Sequence, residues 1–205
     1  MIYISILDCD LLNLNHTLKE LKSNNISHLH LDILDTSFVP NISFGPSIIN
    51  KVLEYDFIFD LHLMVASPIT ILDLINLQKV DTVFVHFEIK NLSDTLKFLK
   101  NKNKKIGLAI SPDTTVEDVC MDDIISKILI MTVYPGFGNQ KFIKECVKKI
   151  KNIDRAKIEV GVDGGINLDT IEDVKDFDFV IIGSSYFKVS DKKKFIETIQ
   201  KYIKK

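Results

Sequence analysis

His28-Leu29-His30-Leu31-Asp32-Ile33-Leu34-Asp35 alternates aliphatic with polar side chains at period two, the signature of a strand. Leu29, Leu31 and Ile33 fall on one face, and His28, His30, Asp32 and Leu34 on the other. A half-buried strand normally keeps its aliphatics inward and leaves its charges in water. Here the polar row carries an imidazole and a carboxylate two residues apart, close enough to grip one metal ion. An isolated H-x-D also occurs as a hydrogen-bonded pair on an exposed face, so the metal reading depends on the rest of the chain.

Outward from this strand, apolar periodicity and turn residues give a regular alternation. Strands are predicted over residues 2–6, 27–34, 57–64, 82–86, 105–110, 127–133, 158–162 and 179–182. Helices are predicted over 11–24, 47–54, 67–77, 92–100, 116–121 (weakly), 141–153, 168–175 and 192–203. The first carries Leu11, Leu14, Leu18 and Leu21 on one face, the third has Pro68 at its first position, and the 141–153 segment shows a stripe of Phe142, Val147 and Ile150. Nothing marks a linker or a second compositional zone. Eight strand-helix units predict an α/β chain folded as one (β/α)8 TIM barrel domain over residues 1–205. The runner-up is a doubly wound open sheet, which the absence of a GxGxxG turn after the first strand weakens.

Composition narrows the function. With 46% hydrophobic and 26% charged residues and a net charge of −2, the chain has the make-up of a globular enzyme and no basic stripe for nucleic acid. Its lysines look scattered over helix faces, and Arg155 is the only arginine, so a phosphate site has to use backbone amides or lysine. Cys9, Cys120 and Cys146 are odd in number and widely spaced, which reads as reduced intracellular thiols; the latter two fall on predicted helices as packing residues. No signal-like N-terminus is visible, and no apolar run approaches the roughly 18 residues of a spanning helix. A cytoplasmic protein without membrane or nucleic-acid partners is the expectation.

In a barrel, reactive groups sit at the C-terminal ends of strands. Three strand ends bring metal-type side chains there: His30 and Asp32, then His62, then Asp163 ahead of Gly164-Gly165. Singly, His62 reads equally as a core histidine and Asp163 as a turn residue. Together, two imidazoles and two carboxylates suit Zn(II), Fe(II), Mn(II) or Co(II) better than Mg(II). His86, at the end of the fourth strand, reads either as a partner to this cluster or as a structural histidine. Gly164-Gly165 and Gly183-Ser184-Ser185 follow the seventh and eighth strands, where exposed backbone amides form the usual phosphate cradle of such barrels. Pro135-Gly136-Phe137-Gly138-Asn139-Gln140 follows the sixth strand and alone signals only a loop.

Two acids beside one divalent ion suit proton transfer at a carbon next to a carbonyl. The ion steadies the enediolate, and acids on opposite faces remove and return the proton, which inverts the carbon. That is epimerisation.

These residues carry a resemblance to the ribulose-phosphate 3-epimerase family over residues 5–187. It rests on Leu29-His30-Leu31-Asp32, Ser37-Phe38-Val39-Pro40-Asn41-Ile42, His62-Leu63-Met64-Val65, Val133-Tyr134-Pro135-Gly136-Phe137-Gly138 and Val162-Asp163-Gly164-Gly165. The resemblance implies one divalent metal held by His30, Asp32, His62 and Asp163, with Asp32 and Asp163 as the acid-base pair interconverting D-ribulose 5-phosphate and D-xylulose 5-phosphate in the pentose phosphate pathway. It implies that Ser5 and His62 contact substrate, that Met64 and Met131 cap the metal site, and that Gly136, Phe137, Gly138, Asn139, Asp163, Gly164, Gly165, Gly183 and Ser184 line the sugar and phosphate pocket. Leu34 stands at a third methionine position, Thr36 and Ser37 at a usual glycine and histidine, Asp8-Cys9 at a small polar pair, and Asn139 at a glycine.

Within the family, a D-allulose 6-phosphate 3-epimerase would share the metal and both acids, and pocket size separates the two. Decarboxylases and aldolases on related barrels need Asp-x-Lys-x-x-Asp on the third strand, and Asp60-Leu61-His62 puts histidine at the lysine. A non-catalytic phosphosugar-binding barrel would keep the glycines and lose one acid, yet both acids are present. Barrels of this type often form homo-oligomers, though no interface is legible here.

Overall fold

The stretch around His30 is strand β2 (His28–Leu34), and both of its faces are buried. In the computed structural model, which describes residues 1–119 and 123–203, β2 is one of eight parallel strands. The others are β1 (Ile2–Ser5), β3 (Ile58–Met64), β4 (Val80–His86), β5 (Lys105–Ile110), β6 (Ile125–Met131), β7 (Glu159–Asp163) and β8 (Phe179–Ile182). They pair in chain order and close, β8 against β1, into a single barrel. The open-sheet alternative is thereby excluded.

Closure explains why aliphatic and polar parities are both buried. Leu29, Leu31 and Ile33 belong to the large core between strands and helices, together with Leu61, Leu63, Val83 and Val85. The opposite parity fills the barrel, where Tyr3, Phe84, Ala109, Leu129, Met131, Phe179 and Ile181 form a separate apolar cluster. The polar row of β2 points into this interior. Ring volume is balanced by missing side chains: a Cβ on Gly107 would strike Phe84, and one on Gly161 would strike Phe179.

Around the barrel lie α1 (Leu14–Ser23), α2 (Pro46–Val52), α3 (Pro68–Leu72), α4 (Leu92–Asn101), α5 (Ser184–Lys188) and α6 (Lys192–Ile203). Several predicted helices are shorter than their apolar patterns suggested. Asp10 caps a 3-10 turn over Leu11–Asn13, which leaves Leu11 exposed and off the buried stripe of Leu18 and Leu21. Helix α3 stops at Leu72 because the Asn50 side chain takes both the Leu74 carbonyl and the Asn76 amide. The 141–153 segment is a 3-10 helix, Lys144–Asn152, instead of an α-helix. Its Val147, Ile150 and Ile153 recur every third residue, a row that three residues per turn keeps on the core. The 168–175 helix reduces to a 3-10 turn, Ile171–Val174, and the 116–121 segment to Val116–Asp118. Cys120 and Met121 lie outside the described residues, whereas Cys146 is buried as a packing residue. No helix among the described residues is long and apolar enough to cross a membrane.

Candidate active site and metal centre

Strand pairing assembles the cluster. Asp32 of β2 lies directly beside His62 of β3, Ser5 of β1 beside His30, and Met131 of β6 beside Asp163 of β7. Strand β7 thus ends at Asp163, with Val160 and Val162 packed outward, so the approach to this acid is in register. His62 Nδ1 is 3.0 Å from Asp32 Oδ1 and 3.6 Å from Asp163 Oδ2. His30 Nε2 is 3.5 Å from Asp32 Oδ1 and 4.0 Å from Asp163 Oδ2. One donor atom from each of the four residues falls within 4.8 Å of every other.

The residues fit a divalent ion on two observations. Ligands bonded to one such ion at its usual bond lengths lie roughly 3–4 Å from each other, and the four distances above run from 3.0 to 4.0 Å. In addition, both ring nitrogens of His30 are buried without a hydrogen-bond partner. Such orphans are costly in a protein interior unless something else occupies them. Burial pushes the His30 imidazole down to about 3, against the pull of Asp32, so the ring is neutral with a lone pair to give.

The two carboxylates differ in environment. Burial would raise Asp32, but the His30 and His62 rings beside it and a 2.5 Å hydrogen bond donated by Ser5 Oγ outweigh it and hold the group below its ordinary value. Asp163 is pushed well above the usual carboxylate range, by burial first and then by the Asp32 charge. It is also the most open of the four: 16% of its side chain is accessible, against 5% for Asp32 and none for either histidine. A substrate therefore meets the carboxylates, with the imidazoles beneath them.

A cavity of about 510 Å³ opens above the cluster. Ser5, Asp32, Met64, Met131 and Asp163 form its deep part. Gly136, Phe137, Gly138 and Asn139 line one wall, and Gly164, Gly165, Gly183 and Ser184 another. His62, expected to touch substrate as well as metal, is fully buried and does not line the cavity. Leu34 packs with Val39 and Met64 beside the site. Gly164 and Gly165 both have positive φ, backbone that favours glycine, and both line the cavity. Asn139 also has φ of +59°, the conformation for which a glycine would ordinarily be used and which asparagine tolerates. Asn41 ties the loop after β2 to this wall by donating to the Gly136 carbonyl at 2.7 Å.

Two contributors, Glu88 and Lys188, escaped the sequence reading, and His86, which read either as a partner to the cluster or as a structural histidine, is such a partner. His86 lies against His62, their Nε2 atoms 2.9 Å apart, and its Nδ1 meets Glu88 Oε2 at 3.2 Å. Burial pushes His86 down to about 4; burial would raise Glu88, but bonds from His86, Thr114 and the Ser111 amide hold it at about 2. Among the described residues, Lys188 is the only lysine or arginine lining the cavity; its Nζ contacts Asn139 Oδ1, and Asn139 in turn reaches Asp8 at 3.4 Å. The available signals were His86-Phe87-Glu88, a second H-x-acid at a strand end, and a lysine shortly after the Gly183-Ser184 turn.

Known proteins match this geometry. The model of the ribulose-phosphate 3 epimerase family matches residues 1–187. A ribulose-phosphate 3-epimerase of Encephalitozoon cuniculi is 44% identical over 196 residues, covering 96% of this chain and 92% of that protein. The ribulose-phosphate 3-epimerase of Bacillus subtilis is 34% identical over 209 residues, with 96% of each chain covered. Among solved structures, 3-keto-L-gulonate-6-phosphate decarboxylase from Vibrio cholerae superposes with a TM-score of 0.70 at 13% identity, over 99% of this chain and 96% of that one. The 3-hexulose-6-phosphate synthase of Salmonella typhimurium gives 0.69 at 15% identity, over 98% and 97%. Those two likenesses establish the barrel, while the family match and the full-length relatives go further: the chain belongs to the ribulose-phosphate 3-epimerase family.

Proposed function

We propose that this enzyme interconverts D-ribulose 5-phosphate and D-xylulose 5-phosphate by proton transfer at C3 between Asp32 and Asp163. The observation that carries the reading is that carboxylates from β2 and β7, on different sides of the barrel, reach the deep part of one cavity with both histidines packed beneath them. One acid takes the C3 proton from one face of the sugar, and the other delivers a proton to the opposite face of the planar enediolate. Ser5 holds Asp32 by its 2.5 Å hydrogen bond and so fixes which carboxylate oxygen faces the substrate. A divalent ion, Zn(II), Fe(II), Mn(II) or Co(II), held by His30, Asp32, His62 and Asp163, supplies charge stabilisation for the enediolate oxygens. Met64 and Met131 keep water from the acids. The amides of Gly164, Gly165, Gly183 and Ser184 take the phosphate, with Lys188 as the side-chain cation on that wall. Buried free thiols at Cys9 and Cys146 support a reducing compartment, the cytoplasm, and association into a homo-oligomer belongs to the same proposal.

The test is epimerisation of D-ribulose 5-phosphate in deuterated water, with and without a chelator. Metal-dependent deuterium at C3 of xylulose 5-phosphate is expected. No incorporation with metal present would overturn the reading.

A further inference from the structure

We infer that His86 and Glu88 form a positioning relay that sets the tautomer of His62, so that His62 turns an unprotonated Nδ1 toward the metal position. The inference rests on the metal reading above and adds what keeps that histidine a ligand.

The argument runs inward from Glu88. Its Oε1 accepts the Ser111 amide at 2.9 Å and the Thr114 hydroxyl at 2.5 Å, and Oε2 faces His86 Nδ1 at 3.2 Å. A carboxylate only accepts, so the proton of His86 sits on Nδ1. His86 Nε2 is then bare. It lies 2.9 Å from His62 Nε2, and a hydrogen bond between two ring nitrogens has one proton, so His62 Nε2 carries it. His62 Nδ1 is left as a lone pair, 3.0 Å from Asp32 Oδ1 and 3.6 Å from Asp163 Oδ2. The other tautomer would donate from Nδ1 to Asp32 and close the site as an ordinary hydrogen bond. With the relay, a bare nitrogen faces Asp32 and Asp163, and a divalent ion there would take a lone pair from each of the three. The Phe38 ring packs on His86 at 4.8 Å and holds it in line. A partner on the remote nitrogen of a ligating histidine typically governs metal affinity; here a second histidine stands between ligand and carboxylate.

Glu88→Gln gives a sharp test. Ser111 and Thr114 still require an acceptor, which orients the glutamine NH2 toward His86 Nδ1 and reverses every proton in the chain. Metal-free wild type, Glu88→Gln, His86→Phe, His86→Gln and His62→Ala are titrated with Co(II) against a chromophoric chelator, with circular dichroism for the fold and 15N-histidine shifts for the tautomer. Glu88→Gln and His86→Phe are expected to weaken Co(II) binding by about 10- to 100-fold, with the His62 proton moved to Nδ1 in Glu88→Gln. His86→Gln, whose carbonyl accepts from His62 Nε2, recovers the larger part of that affinity, whereas a packing role would favour phenylalanine. Wild-type affinity in Glu88→Gln, or phenylalanine equal to glutamine at position 86, would overturn the relay; if His86→Phe does not fold, Glu88→Gln decides alone. Absence of Co(II) binding by wild type, or an unaffected His62→Ala, would overturn the metal reading itself.

Discussion

The mouth and the floor of this barrel each bury acids near the axis, and they differ in where the positive charge comes from. Strand β3 serves both ends, with Asp60 below and His62 two residues above, on the same face. At the floor, Lys127 Nζ lies within 4 Å of Asp60, Asp81 and Glu159, bonds the Tyr3 hydroxyl at 3.3 Å, and sits over the Tyr3 and Phe179 rings. At the mouth, among the described residues, no lysine or arginine is paired with Asp32 or Asp163; the side chains nearest them are the histidines. A buried carboxylate without a cation is expensive. The floor offsets part of that cost with Lys127, although both Asp60 oxygens lack a hydrogen bond and burial still pushes that carboxyl up to about 7. The mouth leaves it unmet, which makes it a place for an ion.

The largest effects should separate the two ends by kind. Asp32→Asn and Asp163→Asn should each cost about a thousandfold or more in kcat, the scale of a general acid or base, in protein that folds normally. Lys127→Met should leave turnover nearly unchanged yet lower stability by about 3 kcal/mol, because it strands buried acids; urea denaturation measures this. A Lys127→Met protein that stays stable but loses activity would join the floor to the catalytic machinery and break the distinction.

Metal removal sharpens it next. An ion at a hundredfold excess over its dissociation constant stabilises the fold by about 2.7 kcal/mol. A chelator should therefore lower the melting temperature by roughly 5–10 °C for a chain of this size. Lys127→Met should show the same drop from its lower starting point, and Asp163→Asn little or none. Equal drops in all three proteins would place the ion somewhere other than the mouth.

How far the sequence revealed these ends depends on contrast. His30, Asp32 and His62 stood out because charged or imidazole side chains interrupt aliphatic strands at period two, and the closed barrel explains why both faces of those strands are buried. Lys127 interrupts Ile125-Ser126-Lys127-Ile128 in the same way, but it stood at the start of the predicted strand, and among 26 basic residues nothing singled it out. Lys188 was lost in the same background. Glu88 was missed because it lies just beyond β4, where strand periodicity no longer says which way a side chain points. The 3-10 segments were misread as α-helix since apolar spacing of three fits either geometry until packing chooses. Asp163 was the reverse case: alone it read equally as a turn residue, and pairing to Met131 and Ile181 makes it the last residue of β7.

The smallest effects concern Lys188, the one lysine that lines the mouth among the described residues. Lys188 sits on the cavity rim beside Asn139, away from the four-residue cluster, so it faces where a phosphate would bind. Lys188→Ala should raise KM by about tenfold and leave kcat alone, the mark of binding energy expressed equally in ground and transition states. Asn139→Gly tests the tether separately. Glycine adopts the left-handed conformation freely, so stability should stay within about 1 kcal/mol of the parent, while the loss of the Asn139 contact frees the lysine and should raise KM about threefold. An unchanged KM in Lys188→Ala would mean that the backbone amides hold the phosphate unaided. The mouth would then contain no working cation of the chain's own, and its contrast with the floor would be complete.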